Sequence, residues 1–175
     1  MSAEQRKVYD DVVSGPRGSL RGPLLAALYR PELADRWQKF GEILRYRTSL
    51  PPRYTELAIL VTARASNCAF EWDAHEPAAL RAGVEPDFIA AIRRGKQPHF
   101  ADPIDVAVYD FARELQETRT VTIATYNKVL GKYGALGVVE LTALVGYYTM
   151  VAMTLNAHDF PLPEGAANPF ERMDP

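Results

Sequence analysis

The stretch from Glu56 to His75, ELAILVTARASNCAFEWDAH, decides the fold and holds the residues with the most chemistry. It contains the single cysteine of the chain, Cys68, and one of its three histidines, His75. Apolar residues between positions 57 and 63 are too dense for a helix with a side facing solvent. We therefore predict a core helix over residues 52–65, in which Glu56 is buried.

A second helix is predicted directly after the first. Asn67 is a suitable N-cap for it, because a short polar side chain can satisfy the free amides of the first turn. At about 100° per residue, positions 68, 71 and 75 lie within roughly 60° of one another, so one helix face presents a thiol, a carboxyl and an imidazole. The helix N-terminus favours a partly ionised Cys68. Glu71 opposes that effect unless it is protonated or paired with His75, its i, i+4 neighbour.

These residues carry a resemblance to a known family. Glu56 is followed by eleven residues and Cys68, then by two residues and Glu71, then by three residues and His75. This pattern resembles the alkyl hydroperoxide reductase D and carboxymuconolactone decarboxylase superfamily, whose redox members carry Glu, Cys, Cys and His at this spacing. Three of the four positions match, and Glu71 stands where those members have the second cysteine.

The resemblance covers roughly residues 20–165. It includes a lead-in segment at residues 22–61 and a closing segment, GYYTMVAMTLNAHDFPLPEG, at residues 146–165. It implies an all-α fold, an alkyl hydroperoxide reductase D-like bundle of about seven to eight helices. It also implies one domain over residues 1–175 and a homo-oligomer, either a dimer, a trimer or a hexamer.

Composition narrows the class of protein. A length of 175 residues suits one domain with a sizeable core. Twenty basic against 22 acidic residues give a net charge of −2, which excludes a basic field for nucleic acid. One cysteine excludes an intramolecular disulfide and suits a reducing compartment. The N-terminus lacks an apolar leader, so we expect a cytoplasmic protein that binds neither membrane nor nucleic acid.

Other segments give expectations about packing and assembly. Pro77 cannot donate a helical hydrogen bond, which predicts a kink or an end near Glu76. Residues 137–157 are strongly apolar and should form a central final helix. Together with that helix, Trp37, Tyr147 and Tyr148 offer more apolar surface than a bundle of this size readily buries, which favours assembly.

Two kinds of catalysis fit the motif, and both act on a small molecule. A disulfide cycle needs a resolving thiol, and Glu71 occupies its place. The first hypothesis is acid–base chemistry, namely decarboxylation, isomerisation or hydration of a small oxo acid or lactone. In it, His75 donates or accepts the proton, Glu71 is its partner or a second acid–base group, Glu56 orients it, and Cys68 shapes the pocket. The aromatic neighbours of Glu71 are expected to raise the pKa of its carboxyl.

The second hypothesis is a single-cysteine peroxidase. A hydroperoxide would oxidise Cys68 to a sulfenic acid, His75 and Glu56 would relay the proton, and an external thiol would restore the enzyme. A third hypothesis is an oligomer that binds a small ligand without turnover. No cofactor is expected and no metal site is predicted, although Glu56, Glu71 and His75 are competent metal ligands.

Overall fold

The computed structural model describes residues 1–170, which form eight α-helices and no strand. This confirms the all-α prediction and the expected number of helices. The chain divides into two compact units, Met1–Thr48 and Ser49–Pro175. That the whole chain forms one domain stays a prediction.

The first unit contains three helices, α1 (Ala3–Ser14), α2 (Pro23–Ala27) and α3 (Pro31–Tyr46). Proline at the first position suits α2 and α3, because the amide that it lacks has no intrahelical partner there. The buried face of α3 includes Trp37.

The second unit is organised around α4 (Pro52–Ala65). The helices α5 (Ala69–Arg81), α6 (Pro86–Arg93), α7 (Pro103–Thr118) and α8 (Ile123–Ala157) all pack against it. Every residue from Thr55 to Ala63 is buried, which is possible only for a helix covered on all sides. The predicted core helix is therefore confirmed, with Glu56 inside it.

The long helix α8 is broken at Gly134, whose φ of 67° and ψ of −174° are not helical. Beyond the break it runs to Ala157, which matches the final helix predicted over residues 137–157. By length and composition α8 is apolar enough to cross a membrane, but 50% of its most apolar window is buried in the protein. A helix in a protein core passes the same test, so this is weak evidence for a membrane.

The three aromatic residues that were expected to contribute to an assembly surface do not lie at the surface. Trp37, Tyr147 and Tyr148 are all buried, so none of them offers surface to a second chain. The sequence shows that these side chains are apolar but not which side of a helix the core occupies. Assembly itself stays a prediction.

The link between α4 and α5 differs from the prediction. Asn67 does not cap α5: it has a positive φ of 46° and closes α4. The Asn67 amide donates to the carbonyl of Arg64, and the Cys68 amide donates to that of Ala63. These two bonds form a Schellman motif, in which a left-handed residue ends a helix and Asn is an accepted substitute for Gly. The N-cap of α5 is therefore Cys68.

Pro77 does not end α5, which continues to Arg81. Pro77 is exposed, so water can replace the backbone hydrogen bond that it removes. Gly83, with a φ of 87°, follows the end of the helix, where a left-handed glycine is common.

Candidate active site

Glu56 and His75 form a buried pair between α4 and α5. Nδ1 of His75 lies 2.8 Å from Oε2 of Glu56, and both residues are buried. When Glu56 accepts this hydrogen bond as a carboxylate, the proton of the neutral ring is on Nδ1. Nε2 then carries the lone pair that can take up a proton. The pair has the geometry of an oriented general base.

Tyr148 of α8 packs against the ring of His75. The two ring centroids are 5.0 Å apart and the planes meet at 86°, an edge-on contact. His75 is thus fixed by a carboxylate from α4 and an aromatic ring from α8. Sequence reasoning missed Tyr148 as a site residue, because a tyrosine within a buried apolar helix gives no signal of its partner.

Cys68 is fully buried at the N-cap of α5. Burial raises the pKa of its thiol to about 11, and the nearby Glu71 carboxyl also raises it. The backbone amides of Glu71 and Phe70 act in the opposite direction, as expected at a helix N-terminus, but burial has the larger effect. The expectation of a partly ionised thiol near neutral pH is therefore wrong.

Glu71 is an isolated carboxyl group in the interior. Within residues 1–170 neither Oε1 nor Oε2 has a hydrogen-bond partner, and the residue is 1% exposed. Burial raises the pKa of this carboxyl well above its ordinary value, which confirms the predicted direction and favours the protonated form. At the third position of a helix, a glutamate often accepts from the N-cap amide. Here the Cys68 amide already donates to Ala63, so that partner is taken.

The expected pair between Glu71 and His75 is not formed, because His75 bonds Glu56 and Glu71 bonds neither. Helical spacing places two side chains on one face but does not decide their hydrogen bonds. Glu71 therefore remains a candidate second acid, separate from the Glu56–His75 pair.

An ion pair behind the site holds α5 to α6. Nε1 of Trp72 donates to Oε2 of Glu76 at 2.9 Å, and Arg93 also binds the Glu76 carboxylate. The Arg93 guanidinium lies 5.7 Å from the centre of the Trp72 ring. These contacts fix Trp72, the buried neighbour of Glu71 in the chain. Within the described part of the chain no group of three His, Cys, Asp or Glu residues is placed to hold a metal ion.

One cavity of the described chain lies within the first unit. It has a volume of about 410 Å³ and is lined by residues of α1 and the start of α3, among them Lys7, Arg30 and Asp35. Its lining is largely charged and contains no histidine or cysteine, so none of the predicted site residues belongs to it.

Comparison with known proteins gives a family for this region. A family model described as the carboxymuconolactone decarboxylase family matches residues 31–114, which include Glu56, Cys68, Glu71 and His75. No curated protein matches the chain.

Proposed function

We propose that this chain, whose residues 31–114 match the model of the carboxymuconolactone decarboxylase family, catalyses acid–base chemistry on a small oxo acid or lactone. The reaction class is decarboxylation, with isomerisation or hydration as related outcomes, and the protein would then be a carboxy-lyase. The supporting observation is the buried hydrogen bond between Glu56 and His75. The pKa of the Cys68 thiol is raised to about 11, which disfavours thiolate chemistry at neutral pH. We expect this chemistry to take place in the cytoplasm.

His75 carries the proton in this mechanism. When the bond to the leaving carboxylate breaks, carbon dioxide departs and the electron pair passes to the neighbouring carbonyl as an enolate. Protonated Nε2 of His75 then gives its proton to the carbon, and the ring recovers a proton from solvent or the next substrate. Glu56 holds the ring through Nδ1, which leaves Nε2 as the atom that transfers the proton.

Glu71 has a different role because its environment is different. A neutral carboxyl can donate a hydrogen bond to the enolate oxygen, where negative charge develops. An ionised group in the same place would repel that charge. The two carboxyl groups thus have different roles: Glu56 bonds a histidine, and Glu71 is buried with no hydrogen-bond partner among residues 1–170.

Screening small oxo acids and lactones for product formation tests the proposal. We expect His75→Asn to reduce turnover by about 10²- to 10⁴-fold, the usual contribution of a general acid or base. His99→Asn is the matched control, since His99 is exposed in a loop. Cys68→Ser should retain activity. Loss of activity in Cys68→Ser with activity retained in His75→Asn would contradict the proposal.

One observation favours the second candidate, a single-cysteine peroxidase. The amides of Glu71 and Phe70 lower the pKa of Cys68 in part, as they would for a reactive thiol at a helix N-terminus. In that reaction the thiolate attacks a peroxide oxygen, the O–O bond breaks, and an alcohol and a sulfenic acid form. One external thiol converts the sulfenic acid to a mixed disulfide with loss of water, and a second thiol releases the enzyme. Peroxide consumption that depends on added thiol and disappears in Cys68→Ser would support this candidate. Binding of small carboxylates with neither activity would instead support the third hypothesis, a protein that binds a ligand without turnover.

A further inference from the structure

The segment that follows α8 lies against the start of α5. Within this segment, Phe160 packs edge-on against Phe70 of α5, with ring centroids 6.1 Å apart. Ten residues later, Phe170 packs edge-on against Trp72 of α5, with centroids 5.4 Å apart. We call residues 159–170 the C-terminal strap, because two separate rings of this segment contact the same turn of α5.

The C-terminal strap contacts the residues on either side of Glu71, since Phe70 and Trp72 are its two neighbours in the chain. Trp72 is also four residues after Cys68 and therefore lies on the same side of α5. Cys68 and Trp72 are 0% exposed, and Glu71 is 1% exposed. Because His75 is buried as well, a small molecule can reach these groups only after a covering segment has moved.

The C-terminal strap is the covering segment with the weakest attachment. The amide of Phe160 donates to the carbonyl of Leu155, and that of Ala166 donates to Pro163, so these backbone bonds are local. Three of the twelve strap residues are prolines, which have no amide proton to donate. By contrast, α4, α7 and α8 pack against one another. Segments with local hydrogen bonds and few packing contacts open most readily.

Arg64, in the last turn of α4, also contacts the C-terminal strap. Its guanidinium lies 5.1 Å from the centre of the Phe170 ring. Its hydrogen-bond acceptors are neutral, namely the carbonyl of Arg93 and the side-chain amide oxygen of Asn67. Among residues 1–170 no carboxylate is within ion-pair distance of Arg64, whereas Arg93 is paired with Glu76. Displacement of Phe170 therefore uncovers a cation that no carboxylate of the described residues neutralises.

We propose that the C-terminal strap is a movable cover of the candidate active site, and that Arg64 binds the carboxylate of an incoming substrate when the strap is displaced. A guanidinium presents a planar fork of donors that matches a carboxylate. The substrate class, a small molecule with a carboxylate, rests on the proposed function. Movement of the strap and the charge at Arg64 do not rest on it, so both can be measured at Cys68 without a substrate.

The rate at which iodoacetamide alkylates Cys68 measures how often the strap opens. The thiolate displaces iodide and forms a carbon–sulfur bond, which mass spectrometry detects. At constant pH, Phe170→Ala should raise the rate about tenfold, because it removes a ring pair and a cation–π contact. Phe100→Ala is the matched control, since Phe100 is also half-buried and in a loop, where its ring contacts Phe88 and Tyr109. An unchanged rate in Phe170→Ala, or an equal increase in both variants, overturns the proposal.

Low concentrations of urea distinguish movement of the strap from unfolding of the whole chain. Opening of the strap exposes little surface, so the alkylation rate of the wild type should change less than about twofold between 0 and 1 M urea. Reaction through complete unfolding would instead increase by about fivefold or more over the same range. An increase of that size in the wild type would show that the strap does not open by itself, and would overturn the proposal.

Two thiol reagents of similar size test the charge at Arg64. Iodoacetate carries a carboxylate, and iodoacetamide is neutral. Arg64→Gln should lower the ratio of the iodoacetate rate to the iodoacetamide rate at Cys68 by about threefold at low ionic strength, and less in added salt. The ratio cancels any change in strap opening, which alters both rates alike. Arg81→Gln is the matched control, since Arg81 is exposed at the opposite end of α5. An unchanged ratio in Arg64→Gln, or an equal loss in Arg81→Gln, overturns the role of Arg64.

Product formation from small oxo acids, measured on the same variants, separates this proposal from the proposed function. With turnover present, Arg64→Gln should raise KM for an oxo acid about threefold and leave KM for an uncharged lactone unchanged. If the alkylation tests fail while turnover is found, the strap is refuted and the proposed function stands. If the alkylation tests succeed while no oxo acid or lactone is converted, the proposed function is refuted and the strap stands.

Discussion

Replacing Glu71 with Gln tests whether the buried carboxyl is protonated, because the amide keeps the shape and removes the titration. Both carboxyl oxygens are buried without a hydrogen-bond partner in the described residues, and burial raises the pKa well above its ordinary value. In the unfolded chain the same group titrates near its ordinary pKa of about 4.3. Between these two pKa values the unfolded chain has released the proton and the folded protein still holds it.

The sign of the pH dependence follows from this proton count. Stability falls with rising pH wherever the unfolded state binds fewer protons than the folded state, by up to about 1.4 kcal/mol per pH unit for one group. Relative to the Gln variant, the wild type is therefore most stable below about pH 4. Its relative free energy of unfolding then decreases with rising pH until the raised pKa of the folded state is reached. As the pH rises above the ordinary pKa of a glutamate, the wild type should therefore lose stability relative to Glu71→Gln, by on the order of 1 kcal/mol per pH unit until the raised pKa is reached.

Urea unfolding at a series of pH values and one protein concentration measures this difference. The glutamine amide has no hydrogen-bond partner among the described residues either, so it shifts the free energy of unfolding of the variant by an amount that does not change with pH. The diagnostic quantity is therefore how the difference in free energy of unfolding between wild type and variant changes with pH. Glu164→Gln, at an exposed position, controls for removal of a carboxyl group elsewhere. Parallel stability curves for wild type and Glu71→Gln between pH 5 and 7 would refute a protonated Glu71. A carbonyl band of a neutral carboxylic acid, present in the infrared spectrum of the wild type and absent in the variant, would support it.

Three further predictions concern the thiol and the backbone. The ultraviolet absorbance of the Cys68 thiolate should appear only as the pH approaches about 11, and a transition near pH 7 would contradict the burial argument. Gly134→Ala should lower the free energy of unfolding by about 1 kcal/mol or more, because its φ of 67° suits glycine, whereas Gly131→Ala on the same helix should be neutral or stabilising. Asn67→Val should destabilise by about 1–2 kcal/mol because its φ is positive, and Asn67→Gly should not; equal denaturation midpoints for the two variants would count against the Schellman motif.

Sequence patterns predicted the helices well where the signal is local. Helices α3, α4 and α6 begin with a proline, and a glycine follows α5 and α6. These residues mark helix ends because of their backbone conformations, so the helix limits can be recognised from the sequence. The density of apolar residues in α4 likewise predicted burial of Glu56, because a helix with no polar side has no place at the surface.

The hydrogen bonds of the site could not be predicted in the same way. From the sequence, His75 has two possible glutamate partners, Glu71 on the same helix and Glu56 on the preceding helix. The structure pairs it with Glu56, a choice made by the packing of α4 against α5. Asn67 shows the same limit, since a residue between two helices can close the first or open the second, and its dihedral angles decide. Tyr148 contacts His75 from α8, and the spacing of residues along α5 gives no information about this contact.

The short link at Asn67 has a consequence for the order in which the molecule folds. Glu56 and His75 are 19 residues apart, and α4 and α5 are joined by a turn that the backbone itself closes. Contacts at such short separation form early, because the loop to be closed is small. Tyr148 belongs to the final helix and can dock only after a much longer closure. The acid–base pair is therefore expected to assemble within a helical hairpin first, and the arrival of α8 then fixes the ring of His75.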